Sequence, residues 1–458
     1  MRALHSHCAG VIAAFVLVGT LVVPQAYADD APIEGAPAVE EPIEVVPGPS
    51  TIAPEALAKA DPAATGSGAP PEEFTSGNLV GDTLRDLRRR DRAWFNLGLR
   101  DAAVRFEDMV EERIGLRFGA AYTMLYQGAD RGSGPKESWG GDLDIVGIWK
   151  PKRQRKGWEG SLQIGMEGRH RIATDIPPQS LSKTIDSLWP TVSGFNEQRF
   201  SLIQLYWGQD LFRGRMRIRI GKISPYFFFG NRLNDASTAF LNASFSDSPA
   251  VFFPGNGFGV QVRYNLGKDW IVRGGIQNAN GIKTEFSPES LDKGEFWYGF
   301  EIEKRVNIRR LGHGRYRLGF WYVDPRADAG TGDGAGTSIS IDQEIGPKVL
   351  VFFRSAAQGA SLITPDVQED SLTATKRALR VGFGVDGPIR SQPDDYFGFA
   401  IAWGKPSAAL ARNSIVAESF YRLQLTEATH FSVSLQAIRS STIFEQVFVL
   451  GLRLRVEF

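Results

Sequence analysis

Cysteine is almost absent from this chain, because Cys8 is the single cysteine among its 458 residues. It precedes an apolar stretch that runs from Ala9 to Val23, and the small residues Ala26 and Ala28 follow. This layout predicts a secretory signal peptide that is cleaved after Ala28. A cysteine ahead of the apolar stretch does not fit a lipoprotein cleavage site. The mature chain is therefore expected to have neither a disulfide framework nor thiolate chemistry.

Long hydrophobic runs and an excess of charge are missing as well. Beyond the signal peptide no apolar run reaches the roughly 18 residues of a membrane-spanning helix. The chain has 52 basic and 52 acidic residues, so it offers no global basic field for nucleic acid. A soluble protein or a β-barrel remains. The 50 Gly, 30 Phe and 10 Trp favour a barrel, in which half of each strand faces water.

The chain divides into four segments, of which residues 1–28 are the signal peptide. Residues 29–78 are rich in Pro and Ala and lack an apolar period, which is typical of a disordered periplasmic linker. Residues 79–115 have a charged, helix-favouring pattern. We expect a short helical segment here, either at the periplasmic mouth or plugging the pore, with a solvated spacer helix as the alternative. Residues 116–458 are expected to form the barrel domain.

A period of two dominates the sequence from residue 116 onward. In residues 215–220 every second residue is arginine and the others are apolar, so one face suits lipid and the other suits water. The last strand repeats this pattern, with Arg453 and Arg455 on one face and an apolar face that ends at Phe458. Candidate strands cover 116–126, 139–150, 158–169, 198–208, 214–223, 258–265, 269–278, 295–304, 314–323, 337–344, 348–355, 377–386, 396–404, 413–425, 430–438 and 446–458. The predicted fold is all-β, an antiparallel transmembrane β-barrel of about 16 strands.

The connections between these strands alternate in length. Those after even-numbered strands are short, and those after odd-numbered strands are mostly long, as in 170–197, 224–257 and 279–294. Outer-membrane barrels have short periplasmic turns and longer external loops. Both barrel ends are therefore expected in the periplasm, and the apolar exterior is expected to contact outer-membrane lipid and lipopolysaccharide. The strand that ends at Phe458 is expected to be recognised by the barrel-assembly machinery. A barrel of about this size leaves an aqueous channel.

Several segments between residue 214 and the C-terminus resemble the carbohydrate-selective porin family, often called OprB-like. They are Gly221-Lys222-Ile223-Ser224-Pro225, Asn234-Asp235, Phe240-Leu241-Asn242-Ala243-Ser244-Phe245, Pro254-Gly255-Asn256-Gly257-Phe258-Gly259-Val260, Gly275-Ile276-Gln277-Asn278-Ala279-Asn280-Gly281, Pro393-Asp394-Asp395, Gly398-Phe399-Ala400, Val416-Ala417-Glu418-Ser419-Phe420-Tyr421-Arg422 and Leu450-Gly451-Leu452-Arg453. The resemblance implies passive diffusion of small sugars and similar solutes through the outer membrane. It implies a monomer, with a homotrimer as the alternative. Such a pore needs no reaction centre, cofactor or metal.

The site of a porin is a constriction whose polar groups replace part of the solute's hydration. The aromatic run 226–229 in the long loop 224–257 would be costly to expose, so this loop is expected to fold into the lumen and form the constriction. An external lid or a subunit contact is the alternative. The candidate residues of the loop are Tyr226, Phe227, Asn231, Asn234, Asp235 and Asn242.

Strand parity also predicts which charged side chains line the pore and contact the solute. They are Arg215, Arg217, Arg219, Arg263, Arg273, Arg315, Arg317, Arg380, Arg422, Arg453, Arg455, Glu301, Glu303 and Glu418. Guanidinium and carboxylate groups suit vicinal sugar hydroxyls because each presents two parallel donors or acceptors. The same arginines would alternatively select anions, giving a general or anion-preferring pore, or would pair with the glutamates and brace the wall.

Two other function classes are less compatible with the sequence. An outer-membrane phospholipase would need a Ser/His pair with an orienting third group. Only His170, His313 and His430 remain after signal cleavage, and none has a recognisable partner. A barrel that tethers the envelope would need a cell-wall-binding motif in residues 29–113, where none is found.

Overall fold

The computed structural model describes residues 108–229, 232–359, 375–407, 412–439 and 443–457. The predicted signal peptide, the linker, residues 79–107 of the helical segment and Phe458 lie outside these ranges. Residues 108–114 are helical. Within the described ranges no helix is long and apolar enough to cross a membrane.

Sixteen antiparallel strands form one closed barrel, in which each strand pairs with its neighbours in the chain. They are β1 (Leu116–Ala129), β2 (Glu137–Trp149), β3 (Gly160–Arg171), β4 (Gln198–Leu211), β5 (Met216–Ile223), β6 (Gly257–Leu266), β7 (Trp270–Asn278), β8 (Phe296–Ile308), β9 (Gly312–Val323), β10 (Gly334–Ile345), β11 (Val349–Gln358), β12 (Thr375–Asp386), β13 (Tyr396–Pro406), β14 (Ser414–Thr426), β15 (Thr429–Arg439) and β16 (Val447–Glu457). The ring closes between β1 and β16, with Tyr122 opposite Val456. The predicted fold is confirmed, and each predicted strand overlaps one observed strand with ends that differ by at most four residues.

The two faces of the strands differ as the period of two predicts. On β16, Phe448 and Leu450 are 45% and 42% exposed, whereas Arg453 and Arg455 are almost fully buried. The exposed apolar side chains face outward, where lipid replaces water. Backbone groups along the ring are paired with the neighbouring strands, so a closed barrel has no edge to protect.

Most connections at one end of the barrel are short turns, and the longest loops lie at the other end. The turns include 212–215 and 267–269, and Gly214 and Gly267 adopt positive φ angles of 79° and 80° that permit the tight reversal. The long loops are named loop 2 (172–197), loop 3 (224–256) and loop 4 (279–295) below. Trp149, Trp158 and Trp270 are 41–45% exposed near the short-turn end, where an interfacial aromatic girdle is expected.

Candidate functional site

Loop 3 crosses the interior of the barrel. On one side the Trp297 indole of β8 donates a hydrogen bond to the carbonyl of Phe252 at 3.0 Å. On the other side the Arg453 guanidinium of β16 donates to the carbonyl of Ala239 at 3.0 Å. Strands β8 and β16 are eight positions apart in the ring of 16, so they stand on opposite walls. Loop 3 therefore spans the lumen and narrows it.

The aromatic run at the start of loop 3 explains why this loop lies inside. Phe227, Phe228 and Phe229 are at most 7% exposed and belong to one apolar cluster with Trp297 and Trp321. The ring centroids of Phe228 and Trp297 are 5.5 Å apart. Burial of each ring stabilises the inward position by roughly 1.5–3 kcal/mol relative to exposure.

Carboxylates of the wall hold the backbone of loop 3. Glu301 Oε2 accepts the Phe229 N–H at 2.9 Å. Glu418 accepts the N–H groups of Leu241 and Asn242 at 2.7 and 2.9 Å. These buried backbone donors would otherwise lack partners, and charge-assisted bonds of this kind are about twice as strong as neutral ones. Both glutamates therefore support the loop.

Three of the predicted pore arginines donate to carbonyls of loop 3 instead of facing open water. These bonds join Arg380 to Asp247 at 2.6 Å, Arg422 to Thr238 at 3.1 Å and Arg453 to Ala239 at 3.0 Å. Arg354, which was not among the predicted residues, donates to the carbonyl of Phe245 at 3.3 Å. Guanidinium groups on the wall from β11 to β16 thus donate hydrogen bonds to the carbonyl groups of the irregular loop.

Other predicted arginines pair within the wall. These pairs are Arg273 with Glu301 at 2.5 Å and Glu303 at 3.0 Å, Arg317 with Asp342 at 2.6 Å, and Arg217 with Asp210 at 3.1 Å. Arg219 stacks on the ring of Phe227, with its guanidinium carbon 4.2 Å from the centroid. These contacts fit the alternative in which the arginines brace the wall and do not contact the solute.

The remaining strand arginines differ in position. Arg263 is buried and lies 3.5 Å from the carbonyl of Gly214. Arg315 is half-buried on β9. Arg215 is exposed and lies in the turn before β5, because the chain reverses at Gly214 and the strand begins one residue later than the arginine.

Loop 2 also folds into the barrel, which the sequence interpretation did not predict. Trp189 is fully buried and its indole donates to the Thr375 hydroxyl of β12 at 2.9 Å. Thr191 Oγ1 donates to Gln127 Oε1 of β1 at 2.8 Å. The Ser193 N–H donates to the carbonyl of Leu241 in loop 3 at 3.1 Å. The two loops therefore pack on each other. The apolar residues Leu181, Ile185 and Trp189 at helical spacing were the available signal.

A cavity of about 980 Å³ remains between the loops and the wall formed by β2, β3, β4 and β16. Arg455, Tyr226, Asn234 and Asp235 are the predicted site residues that line it. The buried Asn242 instead caps a short helix and donates to Gln436 Oε1 at 2.9 Å. Asn231 lies outside the described residues.

A cluster of charged residues forms one wall of this cavity. Asp142, Asp144 and Glu167 bring their carboxylate oxygens within 4.8 Å of one another. Arg169 Nε lies 3.0 Å from Asp142, and Lys283 Nζ of loop 4 lies 2.6 Å from Glu167. The cations already balance much of the acidic cluster, so we assign no metal to it. The alternation of Asp142 and Asp144 with apolar residues on β2 was the missed signal.

Asp247 of loop 3 also lines the cavity. Burial raises the pKa of its carboxyl, whereas hydrogen bonds with Ser193 and Tyr226 act in the opposite direction. In all, seven acidic and four basic residues surround the cavity, so its lining carries an excess of carboxyl groups.

Sequence comparison with protein families gives a match over residues 173–458 to the model described as carbohydrate-selective porin, OprB family. The chain belongs to this family. It is accordingly an outer-membrane porin, whose water-filled channel serves the passive diffusion of small sugars. Family and fold both point to a channel and not to an enzyme such as the phospholipase considered above. The resemblance read from the sequence is confirmed.

Solved structures show the same fold. The high-pH structure of Pseudomonas putida OprB has a TM-score of 0.63 and 15% identity, covering 77% of this chain and 96% of that one. The low-pH structure of the same protein has a TM-score of 0.51 and 14% identity, covering 81% of this chain and all of that one. A sequence comparison with curated proteins found no match.

Proposed function

We propose that small neutral sugars cross the barrel through the cavity between loop 3 and the β2–β4 wall. The observation that carries this proposal is the cavity itself, because loops 2 and 3 fill the opposite side of the lumen. Its volume of about 980 Å³ is at the upper end of the range typical of small-molecule sites.

The lining suits a sugar better than an ion of one sign. Arg199 and Lys283 carry N–H donors and Glu197 carries acceptor oxygens, and all three side chains are at least one third exposed, so hydroxyl groups can replace their water bonds on both sides. Aromatic rings add apolar area for the C–H face of a sugar ring. These rings belong to Tyr226 and Phe253, whose centroids lie 4.5 Å apart.

We accordingly propose fewer residues as solute contacts than the sequence analysis predicts. Arg455 lines the cavity, but its guanidinium donates to Thr123 Oγ1 and Glu457 Oε1, each at 2.8 Å, so we propose that it braces the wall as the other buried strand arginines brace loop 3 or the wall. The anion-preferring alternative receives no support from the cavity, because acidic residues outnumber basic ones in its lining.

The remaining expectations about the chain's surroundings are part of the same proposal. They are cleavage after Ala28, residues 29–78 as a periplasmic linker, recognition of the last strand with Phe458 by the assembly machinery, contact with lipid and lipopolysaccharide, and a monomer with a homotrimer as alternative. The exposed aromatic and aliphatic exterior supports the lipid contact.

Liposome swelling with a series of neutral sugars tests the proposed function. We expect swelling whose rate falls with sugar size, and no swelling from correctly folded protein would refute it. Graded block of the bilayer current by the same sugars is the finer test. A strong chloride preference without sugar block would support the anion-selective alternative.

Phe253→Ala tests the proposed contact surface. Loss of one ring is expected to weaken sugar block by about two- to tenfold, in keeping with aromatic contact energies near 1 kcal/mol. Phe212→Ala is the matched control, because Phe212 is 54% exposed in a turn at the other end of the barrel. Equal sugar block in wild type and Phe253→Ala would exclude this surface.

A further inference from the structure

A buried lysine fixes part of loop 4 above the wall. Lys222 on β5 is 1% exposed. Its ammonium group donates to the carbonyls of Leu202 at 3.1 Å, Ile282 at 3.2 Å and Lys283 at 2.8 Å, and also to that of Glu285. A buried ammonium group is costly unless its donors are satisfied, so these bonds are strongly maintained. Three of the four acceptors lie within residues 282–285.

A second anchor lies just before this segment. A Cβ atom on Gly281 would lie 2.8 Å from the carbonyl oxygen of Gly255 and 2.7 Å from the Cα of Gly257. Only glycine permits this close backbone approach. Gln277 Nε2 donates to the same Gly255 carbonyl at 3.2 Å. The start of loop 4 is therefore locked onto the end of loop 3.

The two anchors fix the backbone at the start of loop 4 and thereby the position of the Lys283 side chain. Lys283 lines the cavity, is about one third exposed, and holds its Nζ 2.6 Å from Glu167 Oε2 on β3. Lys222 does not line the cavity, but three of its bonds fix the backbone that carries Lys283. One lysine thus places the charge of another beside the wall carboxylates.

We infer that Lys222 is a positioning residue that holds residues 282–285, and that Lys283 is a specificity-determining residue of the permeation path. This inference rests on the proposed path through the cavity. Lys283 neutralises part of the acidic lining, and it thereby favours neutral sugars over cationic solutes. It also supplies an N–H donor to a solute hydroxyl when the pair with Glu167 opens.

Bilayer recordings of Lys222→Met, Lys283→Met and the double variant test this inference. Lys283→Met is expected to raise the potassium-to-chloride permeability ratio by about two- to fivefold, as for one charge a few Å from the path in a water-like dielectric. Lys222→Met should change the ratio in the same direction, because residues 282–285 are released. The double variant should show no more than the larger single effect, since both act through one charge. Sugar block should weaken in all three.

Lys348→Met is the matched control. Lys348 is an exposed lysine at a short turn that also donates to a backbone carbonyl, that of Gly387 at 2.8 Å. Folding is checked by the heat-dependent shift of barrels on SDS gels. If Lys222→Met does not fold, Lys222→Gln replaces it, because an amide still donates to two of the carbonyls.

Distinct results overturn the inference. A folded Lys222 variant with wild-type permeability ratio and sugar block would show that Lys222 does not position the path. Effects that multiply in the double variant would show that the two lysines act independently. An unchanged ratio in Lys283→Met would remove its selective role. A wild-type channel that is impermeable to sugars would instead refute the proposed function, so the two failures are distinguishable.

Discussion

Glu418 of β14 holds the middle of loop 3 through two hydrogen bonds, and its removal should widen the channel. Its carboxylate accepts the N–H groups of Leu241 at 2.7 Å and Asn242 at 2.9 Å, and the Ser434 hydroxyl at 2.8 Å. Glu418→Ala leaves both N–H groups without this acceptor in a buried site. Each unsatisfied buried donor costs about 1–3 kcal/mol, so the inward position of the loop loses about 2–6 kcal/mol.

Single-channel recording measures the consequence. A loss of this size lets the loop leave its position for a much larger fraction of the time, since 1.4 kcal/mol corresponds to about tenfold in population. We expect higher mean conductance, more current noise and weaker sugar block. Glu418→Gln should be intermediate, because its amide oxygen still accepts one N–H while its NH₂ faces the other.

Glu445→Ala is the control for this experiment, since Glu445 is exposed in the connection before β16. Correct folding is established by the heat-dependent gel shift before recording. A folded Glu418→Ala channel with the conductance, noise and sugar block of wild type would show that loop 3 is held independently of this carboxylate.

Three further substitutions test other parts of the structure. Trp189→Ala removes a fully buried ring and its hydrogen bond to Thr375, so thermal unfolding in detergent should show that the free energy of unfolding falls by about 3–5 kcal/mol. An unchanged Tm would contradict the inward packing of loop 2. Gly221→Ala should lower Tm, because Gly221 has a φ of 136° and a Cβ atom there would lie 2.4 Å from the Leu205 carbonyl oxygen. A Tm equal to that of the wild type would show that the substitution introduces no strain. Glu197→Gln changes a cavity-lining carboxylate that is 58% exposed and should lower the potassium-to-chloride permeability ratio by about two- to fivefold; an unchanged reversal potential would place Glu197 away from the ion path.

The barrel was predictable because its signal is local. Alternation in residues 215–220 needs only neighbouring residues, and the structure buries Arg217 and Arg219 while leaving Ile220 54% exposed. The length of each connection is equally visible in the chain. Parity therefore assigns side chains to the lumen reliably.

The interior of the barrel was much harder to predict, because lumen-facing parity does not show what a side chain meets there. Arg453 contacts Ala239, more than two hundred residues earlier in the chain, and Trp189 contacts Thr375 across a similar separation. Such contacts depend on the path of loops whose composition has no simple period. The acidic cavity wall is different, because Asp142 and Asp144 alternate with apolar residues as the arginines do, and the same parity assigns them to the lumen.

The number of arginines in this lumen follows from the loop that it encloses. An irregular segment inside a barrel exposes carbonyl oxygens that no strand pairs, and buried carbonyls need donors. Guanidinium groups supply five N–H donors from one side chain, so a few wall positions can serve many carbonyls. Arg354, Arg380, Arg422 and Arg453 all donate to loop 3. An arginine-rich strand face is therefore a sign of an inward loop as much as of an anionic solute, and the lining of the remaining cavity has to be examined before selectivity is inferred.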